Sequence, residues 1–221
     1  MNEGIYIAAA GGTKQQRKLD IISNNLANLN NAGFKKDQVV FESLLAPFKE
    51  GSGDLGFENN RTLFLSPALS NDSASYVGVS DFSTNYSQGT LYRTDNPLNV
   101  ALDGDGFFAV KTDAGIRYTR KGDFKMDNNR QLQTQTGEAV LDDKNSPIAI
   151  PAGSHISISS NGSISVTTPQ GAVPVANLRV ADFKDKSQLI KEGNGLYRTA
   201  DPKAEGTTPQ ATIVQQGFLE G

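Results

Sequence analysis

Few residues in this chain could do chemistry, and each can be weighed singly. A nucleophile–base pair would have to use His155, the only histidine, and the chain has no cysteine. No serine stands in the strand–turn–helix elbow that presents an attacking hydroxyl. His155 precedes an alternating stretch and reads as a surface or edge residue. Asp103-Gly104-Asp105-Gly106 has the look of an acidic metal loop. A calcium loop of that type needs a third oxygen ligand two residues on and a bidentate Glu at its last position, where this chain has Phe107 and Ala114. The run therefore reads as a tight turn whose glycines supply positive φ. Asp142-Asp143-Lys144-Asn145 reads as another solvated turn. The Gly-rich stretch from Glu50 to Gly56 lacks the Lys-Ser or Lys-Thr of a phosphate cradle. Nothing fixes two carboxylates across a cleft for glycoside hydrolysis. The expectation is no catalytic site, no cofactor and no metal.

Composition points the same way. The 221 residues are long enough to bury a core, but only 37% are hydrophobic, so part of the surface is solvated or reserved for partners. A net charge of −3 gives no basic footprint, which argues against nucleic acid as a partner. No apolar run reaches membrane-spanning length, and Met1-Asn2-Glu3-Gly4-Ile5 does not open a cleaved secretory signal.

The element that organises the chain is an N-terminal helix. Leu19, Ile22, Leu26 and Leu29 recur at the spacing of one helical face. Extended backwards, the series runs Ile5, Ala8, Gly12, Gln15, Leu19, Ile22, Leu26, Leu29, a 3.5-residue period typical of a coiled-coil seam. Gly33 can take the left-handed position that ends a helix. With Gly11-Gly12 inside and asparagines near its end, such a helix has poor intrinsic propensity and is expected to order only against a partner.

Ser23-Asn24-Asn25-Leu26-Ala27-Asn28, followed by Gly33-Phe34-Lys35-Lys36, closely resembles the N-terminal signature of the flagellar basal-body rod, hook and hook-associated proteins. The run from Thr94 to Phe108 and the segment Tyr118-Thr119-Arg120-Lys121-Gly122-Asp123-Phe124 resemble that family's central-domain signature, most of all that of its proximal rod members. The resemblance implies a structural axial subunit, not an enzyme. It also implies export through the flagellar type III system without a cleaved signal, a place in the periplasmic rod, and partners that are copies of itself and other rod and hook subunits. Small-molecule substrates and membrane insertion are not expected. In the family, an N-terminal helix pairs with a C-terminal helix to line the inner tube. The expected assembly interface is accordingly Ile5, Ala8, Leu19, Ile22, Asn24, Asn25, Leu26, Asn28, Leu29, Gly33 and Phe34.

Beyond the helix, Phe34 to Leu45 reads as an extended arm closed by Pro47. From Ser75 the period changes to two and turn residues recur, the pattern of an antiparallel β unit. Tyr76, Val77 and Val79 open it, and a hairpin is expected to join Tyr118 to Arg120 and Phe124 to Met126 to Leu132 across Asp127-Asn128-Asn129-Arg130. Leu102, Phe107, Val110, Phe124, Ile158, Ile164 and Val180 are expected inward. Around Asn161-Gly162, a three-residue loop Ser160-Asn161-Gly162 puts Ile158 opposite Ile164 and Ile156 opposite Val166 on one face, with Gly162 left-handed. The fold class expected is α+β: a coiled-coil-type helix (1–33), an arm and loop (34–74), a mostly antiparallel β domain (75–215), and a lead-in (216–221) to the family's C-terminal helix. The competing reading is a monomeric carbohydrate- or peptidoglycan-binding or -hydrolysing β domain with an N-terminal extension.

Overall fold

The computed structural model describes residues 3–44, 76–153, 155–201, 204, 206–209 and 211–221. Leu45, Pro47, the Glu50 to Gly56 stretch and Ser75 lie outside the described residues. One N-terminal helix precedes a β unit in which every described strand pair is antiparallel, as expected.

Among the described residues the helix spans Glu3–Ala27, ending short of the Gly33 position expected to close it. Its asparagines end it. Asn28 Nδ2 donates to the Asn24 carbonyl at 2.8 Å and Asn31 Nδ2 to Asn28 Oδ1 at 2.8 Å, so short amide side chains compete for the backbone. The chain then tightens into turns, with Leu29 N–H on the Leu26 carbonyl at 3.3 Å and Asn31 N–H on the Asn28 carbonyl at 3.0 Å. Gly33 has the positive φ expected (65°), but it lies beyond those turns and serves a different contact.

Strand Asp37–Leu44 pairs with strand Tyr76–Thr84, with one register shift between Val39 and Phe41. Tyr76, Val77 and Val79, expected to open the β domain, therefore belong by pairing to the arm. The main sheet runs in the order Leu189–Gly193, Leu196–Thr199, Gly115–Thr119, Phe107–Thr112, Ala139–Val140, Leu132–Gln133, Lys125–Met126. Lys125–Met126 pairs with Leu132–Gln133 across the Asp127 to Arg130 turn, as expected, but Tyr118 and Thr119 take no part in that hairpin: their strand, Gly115–Thr119, pairs with Phe107–Thr112.

Phe107–Thr112 is the central strand, and its first four residues are all buried. Alternate side chains leave opposite faces. Phe108 and Val110 join one cluster with Val100, Leu102, Phe124, Ile148, Ile158 and Ile164, while Phe107 and Ala109 join a second with Tyr118, Leu141, Phe183 and Tyr197. Covering both faces is what turns the strand into the continuous apolar run Phe107-Phe108-Ala109-Val110. Six of the seven residues expected inward are buried; Val180 is only partly so, because its two-residue strand lies over the Gly106 turn. In the second cluster, Tyr197 packs its ring 5.4 Å from Phe107 and 5.8 Å from Tyr86. Its hydroxyl is buried with no hydrogen-bond partner among the described residues.

The last strands close the unit. Ile213–Gln216 pairs with Val100–Asp103, and Phe218–Glu220 pairs with Leu91–Arg93. The terminal residues expected only as a lead-in thus form a strand of the β unit itself.

His155–Ile158 and Ser163–Thr168 pair in the expected register, Ile158 opposite Ile164 and Ile156 opposite Val166. Gly162 sits at φ 84°, its N–H on the Ser159 carbonyl at 2.8 Å. Gly162→Val should destabilise the β unit by about 1–2 kcal/mol, since a β-branched residue enters the left-handed region at cost. Chemical denaturation measures it, and a change within about 0.3 kcal/mol would contradict the loop assignment. Tyr197→Phe should hold or raise stability, by up to about 1 kcal/mol, because it deletes a buried hydroxyl without stranding a partner. A clear loss in the same denaturation assay would show that the hydroxyl is bonded.

Candidate assembly interface

The seam residues are where a partner could reach them. Leu19 is 58% exposed, Ile22 50%, Leu26 69% and Leu29 69%. Leu19, Ile22 and Leu26 lie on the helix and Leu29 in the turn that follows it; large apolar side chains this open, in a row, are unusual for an isolated surface. Ile22, Leu26 and Leu29, with Phe34, Gly89 and Gly221, line a groove of about 520 Å³ that runs beside the final residue. Ile5 and Ala8 lie on the helix, and their side chains are outside the described residues.

The other expected interface residues divide. Asn24 is exposed, and Asn28 is spent on the helix end. Asn25, Gly33 and Phe34 make contacts within the chain. Asn25 reads the backbone of Asp37 twice, its Nδ2 donating to the Asp37 carbonyl at 2.9 Å and its Oδ1 accepting from the Asp37 N–H at 3.1 Å. Gly33 lies flat on the chain at Arg120, where an added Cβ would stand 2.5 Å from the Arg120 carbonyl carbon. Its N–H donates to the Glu220 carbonyl at 2.8 Å. Phe34 lies under the Lys191 ammonium, 4.4 Å from ring centre to Nζ.

The sequence reading missed the charged cluster beneath the arm. Lys35, Arg120 and Glu220 are all buried. Glu220 Oε1 accepts from Lys35 Nζ at 2.5 Å and from the Gly89 N–H at 2.7 Å, and Oε2 accepts from Arg120 Nε at 2.5 Å. Lys35 also donates to the Ser87 carbonyl at 2.8 Å. Arg120 spends three of its four other N–H donors on the carbonyls of Leu102 at 2.8 Å, Gly104 at 2.6 Å and Gly106 at 2.5 Å. The Asp103 to Gly106 run, weighed as a metal loop, is thus a turn that presents its carbonyls to a guanidinium. Gly104 and Gly106 both have positive φ there.

Burial by itself would raise the Glu220 carboxyl, but the Arg120 charge and the hydrogen bonds from Arg120, Lys35 and the Gly89 N–H hold it below the usual carboxylate range. Burial pulls the Lys35 ammonium down, an effect that Glu220 only partly offsets. One carboxylate between two cations offsets part of the cost of burying them. Lys35 and Arg120 stand inside the two family-like segments, each next to a second lysine, Lys36 and Lys121, so nothing local marks either as buried. Nothing local to Phe218-Leu219-Glu220 pairs it with either.

Glu220→Gln leaves two buried cations without their counter-charge, so it should cost about 3–5 kcal/mol. For a chain of this size that lowers the melting temperature by on the order of 10 °C. The carboxylate's native pKa lies below its unfolded value of about 4.3, so its contribution is complete above that pH and is lost as the pH falls through the lowered native value. Melting curves of wild type and Glu220→Gln between neutral pH and pH 3 should therefore converge on the acid side; a constant gap would contradict the ion-pair account.

Two family descriptions match the chain. "Flagella basal body rod protein" matches residues 5–35, and "Flagellar hook protein FlgE/F/G D1 domain" matches residues 101–166. The chain is 33% identical to the flagellar basal-body rod protein FlgG of Buchnera aphidicola subsp. Schizaphis graminum, over all of this chain and 85% of that one. It is 32% identical to FlgG of Bacillus subtilis, over all of this chain and 84% of that one, and 31% identical to FlgF of Caulobacter vibrioides, over all of this chain and 82% of that one. None of these relatives lends support to the carbohydrate-binding reading. With the rod match on the helix and arm, the D1 match on the β unit and relatives along its whole length, the chain belongs to the flagellar basal-body rod protein family.

Proposed function

We infer that this protein is a structural subunit of the bacterial flagellar basal-body rod that assembles through the exposed seam of its N-terminal helix. The observation that carries the assembly route is the row Leu19, Ile22, Leu26 and Leu29, open to solvent beside the 520 Å³ groove. Full burial of each such side chain stabilises an assembly by roughly 1.5–3 kcal/mol. A helix laid along the groove, in coiled-coil fashion, would cover Ile22, Leu26 and Leu29, and Leu19 if it ran on past the groove. The partners are copies of this chain and other rod and hook subunits, and the work is mechanical: packed helices carry torque while the β unit makes lateral contacts on the outside. The family relationship supports placement in the basal body. The same family relationship supports export through the flagellar type III channel, to a rod in the periplasm.

The seam separates assembly from folding, which makes the reading testable. Leu26 belongs to neither buried cluster. Leu26→Asp should abolish incorporation into basal bodies, read by isolating them from cells that express the variant in place of wild type. It should shift the stability of the β unit by no more than about 0.5 kcal/mol. Normal incorporation would remove the seam from the interface.

A further inference from the structure

The seam can serve assembly only if the helix leaves the β unit in a defined direction, and one aspartate gathers the contacts that set it. Asp37 is the first residue of the arm strand. Its backbone N–H and carbonyl are both taken by the Asn25 side chain, at 3.1 and 2.9 Å, in the manner of a paired strand. Its carboxylate accepts from Lys191 Nζ at 3.2 and 3.1 Å and from Thr84 Oγ1 at 2.8 Å. Lys191 also donates to the Lys35 carbonyl at 2.8 Å and covers Phe34. The helix, both strands of the arm and the edge strand Leu189–Gly193 of the main sheet therefore meet on one residue.

We propose that the Asn25–Asp37–Lys191 chain is a hinge lock: it orders the last turns of the helix and aims the seam before any partner arrives. A sequence this rich in asparagine, with Gly11-Gly12 upstream, supplies little helical stability of its own. The lock supplies it from outside, by tying the helix end to the arm and the arm to the sheet. Each tie is local and polar, and none adds to the two apolar clusters, so the lock can open without melting the β unit. The benefit is pre-organisation, because a seam already aimed loses less freedom when a partner docks. Asn25 and Lys191 are positioning residues in this account, and its use in assembly rests on the reading above.

The chain has no cysteine, so spin labels can be placed at will. Lys18→Cys on the helix and Lys111→Cys on the central strand both replace exposed residues. Pulsed electron spin resonance on the dilute full chain should give one narrow distance. Asn25→Ala should abolish that peak in favour of a broad distribution, while Asn24→Ala, one position earlier, should preserve it. Both substitutions raise intrinsic helix propensity, so the difference between them reports the lock and not the helix. A narrow distance in Asn25→Ala, or a broad one in the unmodified chain, overturns the proposal. Leu26→Asp separates the two readings, since it should keep the distance narrow while removing assembly.

Discussion

A carboxylate removed from water must be matched by charge and hydrogen bonds, and in this chain that requirement falls on Glu220. Its two oxygens take Lys35 from the arm, Arg120 from the central region and the Gly89 N–H. Three segments far apart in sequence can satisfy one buried group only by meeting there. Misplacing any of them strands a charge, so the cluster specifies the arrangement more than it adds stability. The Gly33 N–H on the Glu220 carbonyl ties the same two segments a second time, through the backbone. Arg120 extends the constraint inward, fixing the Gly104–Gly106 turn at the mouth of the central strand.

The rest of the architecture divides around that point. On one side, two apolar clusters cover both faces of Phe107–Thr112 and form the core of the β unit. On the other, the helix carries its apolar row into solvent, and the Asn25 amide ties its end to Asp37 of the arm, which Lys191 holds in turn. The exposed row takes no part in either cluster, and the polar ties between helix and β unit leave that apolar face uncovered.

Much of this was legible in the sequence wherever the signal was local. The helical period at Leu19 to Leu29, the turn demanded by Gly162 and the register of Ile158 on Ile164 all follow from neighbours in the chain. Period-two reasoning did less well at the centre of the sheet. Alternation reports a strand with one buried face, and Phe107 to Val110 has two. The pairing of Tyr76–Thr84 with the arm, and the strand at Phe218–Glu220, also escaped it, because partner choice is a non-local matter. The charged cluster was the least visible. Lys35 and Arg120 lay inside recognised segments, but their common counter-charge is separated from them by most of the chain. Asn25 likewise read as part of an interface motif, when its side chain copies a strand pairing within the chain.

The central claim is that Glu220 is held ionised between two cations in the folded monomer. A carbon-detected NMR titration of the Glu220 carboxyl tests it on the unmodified protein. The account predicts a midpoint below the ordinary glutamate value of about 4.3, with the Gly33 and Gly89 amide resonances shifting in step. A midpoint at or above that value would mean that burial, not Lys35 and Arg120, governs the carboxylate, and the clasp would not be what joins arm, core and terminal strand.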